Sequence, residues 1–173
     1  APFPEVVRSC EEELQRLGFP CRVQIVHGGL GLTPLDFNAF DPSFLQDLPV
    51  RELYLSNSPL TDLSFLANLN LIGLSLAGCP VSDVAILTGA PLEWIDFSRT
   101  LIADLSPLAV SPLRIANLRR TPVSDLSSIC EAPLADLDLG FTSISDLRSL
   151  SVFSLQRLSL LKTSVDDLGP LRK

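Results

Sequence analysis

An α/β solenoid, with one short strand per layer stacked into a parallel sheet, is predicted by three regularities of this 173-residue chain. Repetition comes first: from about Val50 to Lys173 a unit of 21 residues recurs six times without a gap, opening at Val50, Leu71, Leu92, Leu113, Leu134 and Leu155. Alternation comes second. Position four of the unit reads Leu53, Leu74, Ile95, Ala116, Leu137 and Leu158, and position six reads Leu55, Leu76, Phe97, Leu118, Leu139 and Leu160. Apolar residues two apart are the signature of a half-buried strand of about five residues. The third regularity is a change of spacing: positions eleven, fourteen and seventeen, as in Ile102, Leu105 and Leu108, are apolar at intervals of three, which suits a tight 3₁₀ or irregular turn. One unit cannot bury its own apolar side, so units stack, and strands displaced by one unit each run parallel about 4.8 Å apart. The sheet then lines the inner, concave face and the turns line the convex one.

Taken in order, the chain opens with a helix over about 4–17. Pro4 suits a first helical position, Val6, Val7, Cys10, Leu14 and Leu17 fall at helical spacing, and Gly18 closes the end in a left-handed turn. A strand over about 22–26 follows, and His27-Gly28-Gly29 turns the chain. The His-Gly-Gly triplet occurs in the oxyanion loop of lipase-like hydrolases, but the G-x-S-x-G elbow such enzymes need is missing, so a turn is expected. Residues 1–31 are read as an N-terminal cap that covers the apolar edge of the first layer, and 32–173 as the repeat domain. Its first repeat, 32–49, with Leu32, Leu35 and Phe37 as apolar positions, is read as shortened by about three residues in its loop, because Asp41-Pro42-Ser43-Phe44-Leu45 matches Asp62-Leu63-Ser64-Phe65-Leu66 one period later.

Position thirteen is Asp in all six units: Asp62, Asp83, Asp104, Asp125, Asp146 and Asp167. A column of acids invites a metal or catalytic reading. Asp just ahead of an apolar turn is, however, a capping signature, the carboxylate accepting N–H groups left over at the start of the turn. Position nine (Ser58, Cys79, Thr100, Thr121, Thr142, Thr163) is expected to form a hydroxyl ladder bonding the backbone where the chain leaves the strand.

Composition narrows the function classes. A net charge of −7 repels phosphate backbones and anionic lipid, so neither nucleic acid nor a membrane surface is an expected partner. No apolar run approaches the roughly 18 residues of a membrane span, and no signal peptide is read. The chain starts at Ala1 and has no Met, consistent with a processed form or a piece of a longer protein, and its compartment is left open. Cys79 and Cys130 lie two layers apart at different positions, beyond the roughly 7 Å limit for a disulfide. Cys10 and Cys21 either staple the N-terminal segment, if the protein lives outside the cytosol, or are two buried thiols, the simpler reading. No cysteine spacing suits zinc, and no cofactor or metal is expected.

The segment LADLDLGFTSISDLRSL, Leu134 to Leu150, and its sister repeats resemble bacterial leucine-rich repeats of the internalin and phosphatase-regulator type, written LxxLxLxxT/NxIxDLxxL. Closer still are repeats reading PLxxLxLxxTxVSDLSPL, which environmental bacteria attach to kinases or carry in uncharacterised proteins. Those also begin with a short helix ending in a phrase like the LQRLGF of Leu14 to Phe19. The resemblance covers the chain from about Leu32 onward and implies a right-handed solenoid that binds protein through its concave sheet. Two departures stand out: Thr mostly replaces the usual Asn, and Ala116 fills a Leu slot.

With positions four and six in the core, positions three, five and seven point to the concave face. The candidate binding residues there are Glu52, Tyr54, Trp94, Asp96, Ile115, Asn117, Arg119, Asp136, Asp138, Arg157 and Leu161, with Asn57, Arg99, Arg120, Phe141 and Lys162 at the rim in position eight. Trp94 is expected to stand in solvent beside Ile115 as a hot spot; the alternative is that it packs over its neighbours and shields the sheet. Asp96 and Asp138 share a column at about 9–10 Å, close to the carboxylate spacing of inverting glycosidases, so a carbohydrate-active enzyme is the runner-up. A regulatory appendage of an enzyme absent from this chain is a third reading. The favoured one is a non-catalytic protein-binding scaffold with a protein partner, and the strand of the last repeat is a candidate edge for a homodimer.

Overall fold

The computed structural model describes residues 3–38, 41–152 and 154–171. Helix α1 (Phe3–Arg16) leads into β1 (Cys21–Val26) and β2 (Gly29–Pro34), and one strand per repeat follows: β3 (Val50–Tyr54), β4 (Gly73–Ser75), β5 (Trp94–Asp96), β6 (Ile115–Asn117), β7 (Asp136–Asp138) and β8 (Arg157–Ser159). They form one sheet in sequence order, antiparallel between β1 and β2 and parallel thereafter. Between strands the chain returns through short 3₁₀ turns such as Ser64–Asn68, Ser106–Leu108 and Ser127–Ile129. The register is the repeat itself: Leu53 faces Leu74, Leu74 faces Ile95, Ile95 faces Ala116 and Ala116 faces Leu137.

The core is built from the columns read in the sequence. Leu53, Leu74, Ile95 and Ala116 at position four, and Leu55, Leu76, Phe97, Leu118 and Leu139 at position six, are buried together with Ile102, Leu105 and Leu108 of the turns. Layers are tied by backbone bonds that leave each strand past its end. The N–H of position six donates to the carbonyl of position five in the next layer, as Leu55 to Ser75, Leu76 to Asp96 and Leu118 to Asp138, at 2.8–2.9 Å.

The acid column caps turns. Asp62, Asp83, Asp104, Asp125, Asp146 and Asp167 each accept the backbone N–H two residues on, from Ser64, Ala85, Ser106, Ser127, Arg148 and Gly169, at 2.7–2.9 Å. Asp41 does the same with Ser43. At position nine Thr100, Thr121, Thr142 and Thr163 donate to the carbonyl three residues back. Cys79, in the same column, donates its thiol to Leu55 of the previous layer at 3.0 Å.

The N-terminal region departs from expectation in three ways. Leu32 pairs with Leu53, so Asp41 stands nine residues beyond Leu32 just as Asp62 stands nine beyond Leu53; the first repeat is not shortened. Its strand is β2, and the boundary expected after residue 31 falls inside that strand. Of the apolar residues assigned to the buried helix face, Leu14 is buried and Val7 and Cys10 pack partly against the core, while Val6 and Leu17 are exposed. The helix is rolled so that Glu11 accepts the N–H of Val23 on the outer edge of β1 at 2.8 Å, and that roll carries Val6 and Leu17 away from the sheet. Gly18, at φ +89°, ends the helix as expected, with the Phe19 N–H returning to the Leu14 carbonyl.

All four thiols are free, and burial pushes that of Cys21 up to about 11. Among the described residues no helix is long and apolar enough to cross a membrane, and no cluster of His, Cys, Asp and Glu is assembled to hold a metal ion.

Candidate functional site

The concave face divides into two patches. Over β3 to β5 lies an aromatic cluster built around one carboxylate. Trp94 lies back across β4, its Nε1 donating to Glu52 Oε1 at 3.2 Å and its ring 5.3 Å from that of Tyr54, whose hydroxyl donates to Glu52 Oε2 at 2.6 Å. The room for this comes from Gly73 on the intervening strand: a β-carbon there would sit 2.0 Å from the indole. Burial, then the bond to Glu52, then its charge raise the Tyr54 pKa, so the phenol stays protonated. Trp94 is half-buried and turned away from Ile115, which corrects the expectation of a solvent-standing indole beside that residue. Its position, hydrogen-bonded to Glu52 and packed against the tilted ring of Tyr54, is the shielding alternative.

Over β6 to β8 the face is open and charged. Ile115 is 47% exposed in the middle of the sheet. A shallow depression of about 390 Å³ is lined by Ile115, Asn117, Asp136, Asp138, Arg157 and Ser159 among others. Arg157 grips Asp136 through two bonds of 2.8 and 2.5 Å, and that guanidinium holds the Asp136 carboxyl below the usual carboxylate range. Arg119 stands 3.9 Å from Asp138. Leu161, just past β8, is 52% exposed.

Position five has a second duty that strand alternation conceals. Asp96, Asn117 and Asp138 accept the backbone N–H of Ser98, Arg119 and Gly140, two residues on, at 3.0, 3.2 and 2.8 Å. These side chains brace the strand exit, as the acid column braces the turns. Asp96 and Asp138 are therefore already engaged by backbone donors, a poor starting point for paired acid and base work on a glycoside.

The strand exit holds the feature that pattern reading left as a rim. Position eight takes a left-handed backbone in each of the six repeats from β3 onward: Asn57, Arg99, Arg120, Phe141 and Lys162 have φ between 58° and 61°, and Gly78 has 73°. Asn57 and Gly78 were the available signal, being the residues such a conformation favours.

A parallel sheet grown one strand per 21-residue unit, with caps on every turn and one face left to variable side chains, defines a leucine-rich-repeat solenoid. The chain is similar in fold to bacterial leucine-rich-repeat proteins of the internalin kind. Internalin C2 of Listeria monocytogenes is 28% identical with a TM-score of 0.71, the match covering 77% of this chain and 62% of that one. A second internalin of the same organism, inlF, is 25% identical with a TM-score of 0.67, covering 75% of this chain and 39% of that one. This chain thus spans less than two thirds of either neighbour's length. No family model and no curated protein sequence matches it.

Proposed function

We propose that this chain is a non-catalytic scaffold that receives a protein on the open half of its concave face, with α1 and β1 as the cap and the repeats as the display surface. The observation that carries this reading is the exposure of Ile115 at the centre of a face whose surrounding charges, Asp136 with Arg157 and Arg119 with Asp138, already form a polar rim. An apolar centre ringed by polar groups is the usual anatomy of a specific protein interface. The docking centre is Ile115, Asn117, Arg119, Asp136, Asp138, Arg157 and Leu161; Glu52, Tyr54, Trp94 and Asp96 flank it as a rigid shoulder. Likeness to internalins supports the same assignment. Affinity capture from lysate of the source organism, run side by side with the parent and with Ile115→Glu, tests it. A protein retained by the parent and lost by an equally stable variant supports the reading; equal retention by both refutes it.

A second copy of the chain is the other occupant favoured by an observation. Leu155, Leu158 and Leu160 are only partly buried, whereas Leu134, Leu137 and Leu139 one layer earlier are buried, and Leu168 beside them is exposed. Pairing through β8 would cover them. Mass in solution separates the two, since a concentration-dependent dimer abolished by Leu158→Lys supports self-association.

A further inference from the structure

We propose that the strand-exit ridge of Arg99, Arg120, Phe141 and Lys162 is a docking site for an acidic, extended segment of a protein partner. The repeats of β3 and β4 fill the left-handed position eight with Asn57 and Gly78, the residues that adopt it readily; the next four fill it with Arg, Arg, Phe and Lys at φ 58–61°. Bulky side chains in this backbone region are strained, and strain kept in successive repeats points to use of the side chains. The conformation itself is imposed by the layer below: the N–H groups of Arg99, Arg120 and Phe141 donate to Arg119, Gly140 and Leu161 at 2.7–2.9 Å. The ladder fixes the backbone and leaves the choice of side chain free.

Charge is concentrated here against the trend of the molecule. In a chain of net charge −7, Arg99, Arg120 and Lys162 have no acidic partner within 4.0 Å among the described residues. Arg119 and Arg120 both place their guanidinium carbons over the Phe141 ring, 4.6 and 4.9 Å from its centre, holding two like charges together on an aromatic that is itself 37% exposed. The three strand spacings between Arg99 and Lys162 make the ridge about 14 Å long, the reach of about four extended residues. A short acidic segment fits that length and stays clear of the acidic remainder of the surface, which a longer polyanion such as nucleic acid would have to cross.

The inference rests on the reading above only in taking the partner to be a protein. Its test uses fluorescence anisotropy with a short labelled polyglutamate peptide, its glutamine counterpart, a single-stranded oligothymidylate and phosphatidylserine vesicles. The comparison is between the parent and the variant R99N/R120N/K162N. Asparagine accepts the left-handed backbone, as Asn57 does, so the variant is expected to melt no lower than the parent. The parent should bind polyglutamate in preference to the other three probes, more weakly as salt rises, and the variant should lose about tenfold or more in affinity. Undiminished binding by the variant, or no binding of polyglutamate by the parent, overturns the proposal. Tighter binding of oligothymidylate or vesicles overturns the assignment to an acidic protein. If the triple variant does not fold, R120N alone together with the salt dependence of the parent decides, a flat salt response being fatal. Peptide binding by the ridge and partner capture by the sheet face are read in separate assays with separate variants, so failure of the ridge and failure of the sheet-face reading are told apart.

Discussion

Gly73→Ala is the sharpest probe of how the concave face is built. The added methyl would lie 2.0 Å from Cε2 and Nε1 of Trp94, far inside contact distance, so the indole must leave its place over β4. Three consequences can be weighed. The Trp94–Glu52 bond has a charged acceptor and is worth about 1.5–3 kcal/mol at most, to be discounted because the pair is only half-buried. The ring pair with Tyr54 adds about 0.5–1.5 kcal/mol. Against these, alanine recovers about 0.4–1 kcal/mol by restricting the unfolded chain. The net expectation is a loss of about 1–3 kcal/mol, with each kcal/mol lowering the melting temperature by about 2–4 °C for a domain of this size. Trp94 is the only tryptophan, so its fluorescence reports the event without ambiguity. Emission should shift to the red in folded Gly73→Ala, and urea unfolding should show a lower midpoint. Unchanged emission with unchanged stability would mean that the indole does not lie over Gly73, and the aromatic cluster would have to be abandoned.

Other expectations follow from the same geometry. Trp94→Ala, by removing the same contacts, should lower the melting temperature rather than leave it untouched; calorimetry checks this. Leu74→Ala removes a fully buried side chain from between two layers, at a cost of about 2–5 kcal/mol. A urea midpoint within error of the parent would show the layers to be loosely packed. The carboxyls of Asp41, Asp62 and Asp104 are lowered mainly by backbone N–H donors, those of Asp125 and Asp146 mainly by the side chains of Ser127 and Arg148. Their folded pKa values lie below the unfolded ones, so their stabilisation is complete above about pH 4 and is lost as pH falls through the lowered values. Asn at positions 104 and 125 keeps an acceptor but takes up no proton, and should flatten the acid limb of the melting curve; an identical limb would contradict the capping role. Deleting residues 1–19 removes Leu14 and the Glu11 cap on β1, and aggregation is expected in light scattering, whereas a clean monomer would show that the helix is dispensable.

The architecture was legible because it is written six times. Leu at positions four and six and Asp at thirteen answer to local rules, alternation and capping, that hold whatever the neighbouring layer does. What escaped depends on relations across layers or on a second use of a familiar rule. Alternation sets the face of Trp94 but not its rotamer; its direction is decided by Gly73, one unit earlier in the same column. Reading columns downward, Glu52 to Gly73 to Trp94, would have found the gap and the acceptor beyond it. Asp96, Asn117 and Asp138 read from alternation only as candidate binding residues, yet each stands two residues before a strand-exit amide, the same spacing as the acids of the turns. The first repeat was set three residues late because Leu32, Leu35 and Phe37 imitate positions one, four and six, whereas pairing with β3 obeys the hairpin from β1.

From β3 to β8 the backbone ladder that joins one layer to the next is the same at every step, and this makes that part of the solenoid a graduated ruler. Excising or duplicating one 21-residue unit between equivalent core positions leaves each surviving interface of a kind already present, while the distance between anything above the cut and anything below it changes by one strand spacing, about 4.8 Å. The aromatic shoulder at Glu52 and Trp94 and the cationic ridge ending at Lys162 are thus separated by a whole number of such steps. A lineage, or an experimenter, can retune the span between two contact points without redesigning either of them.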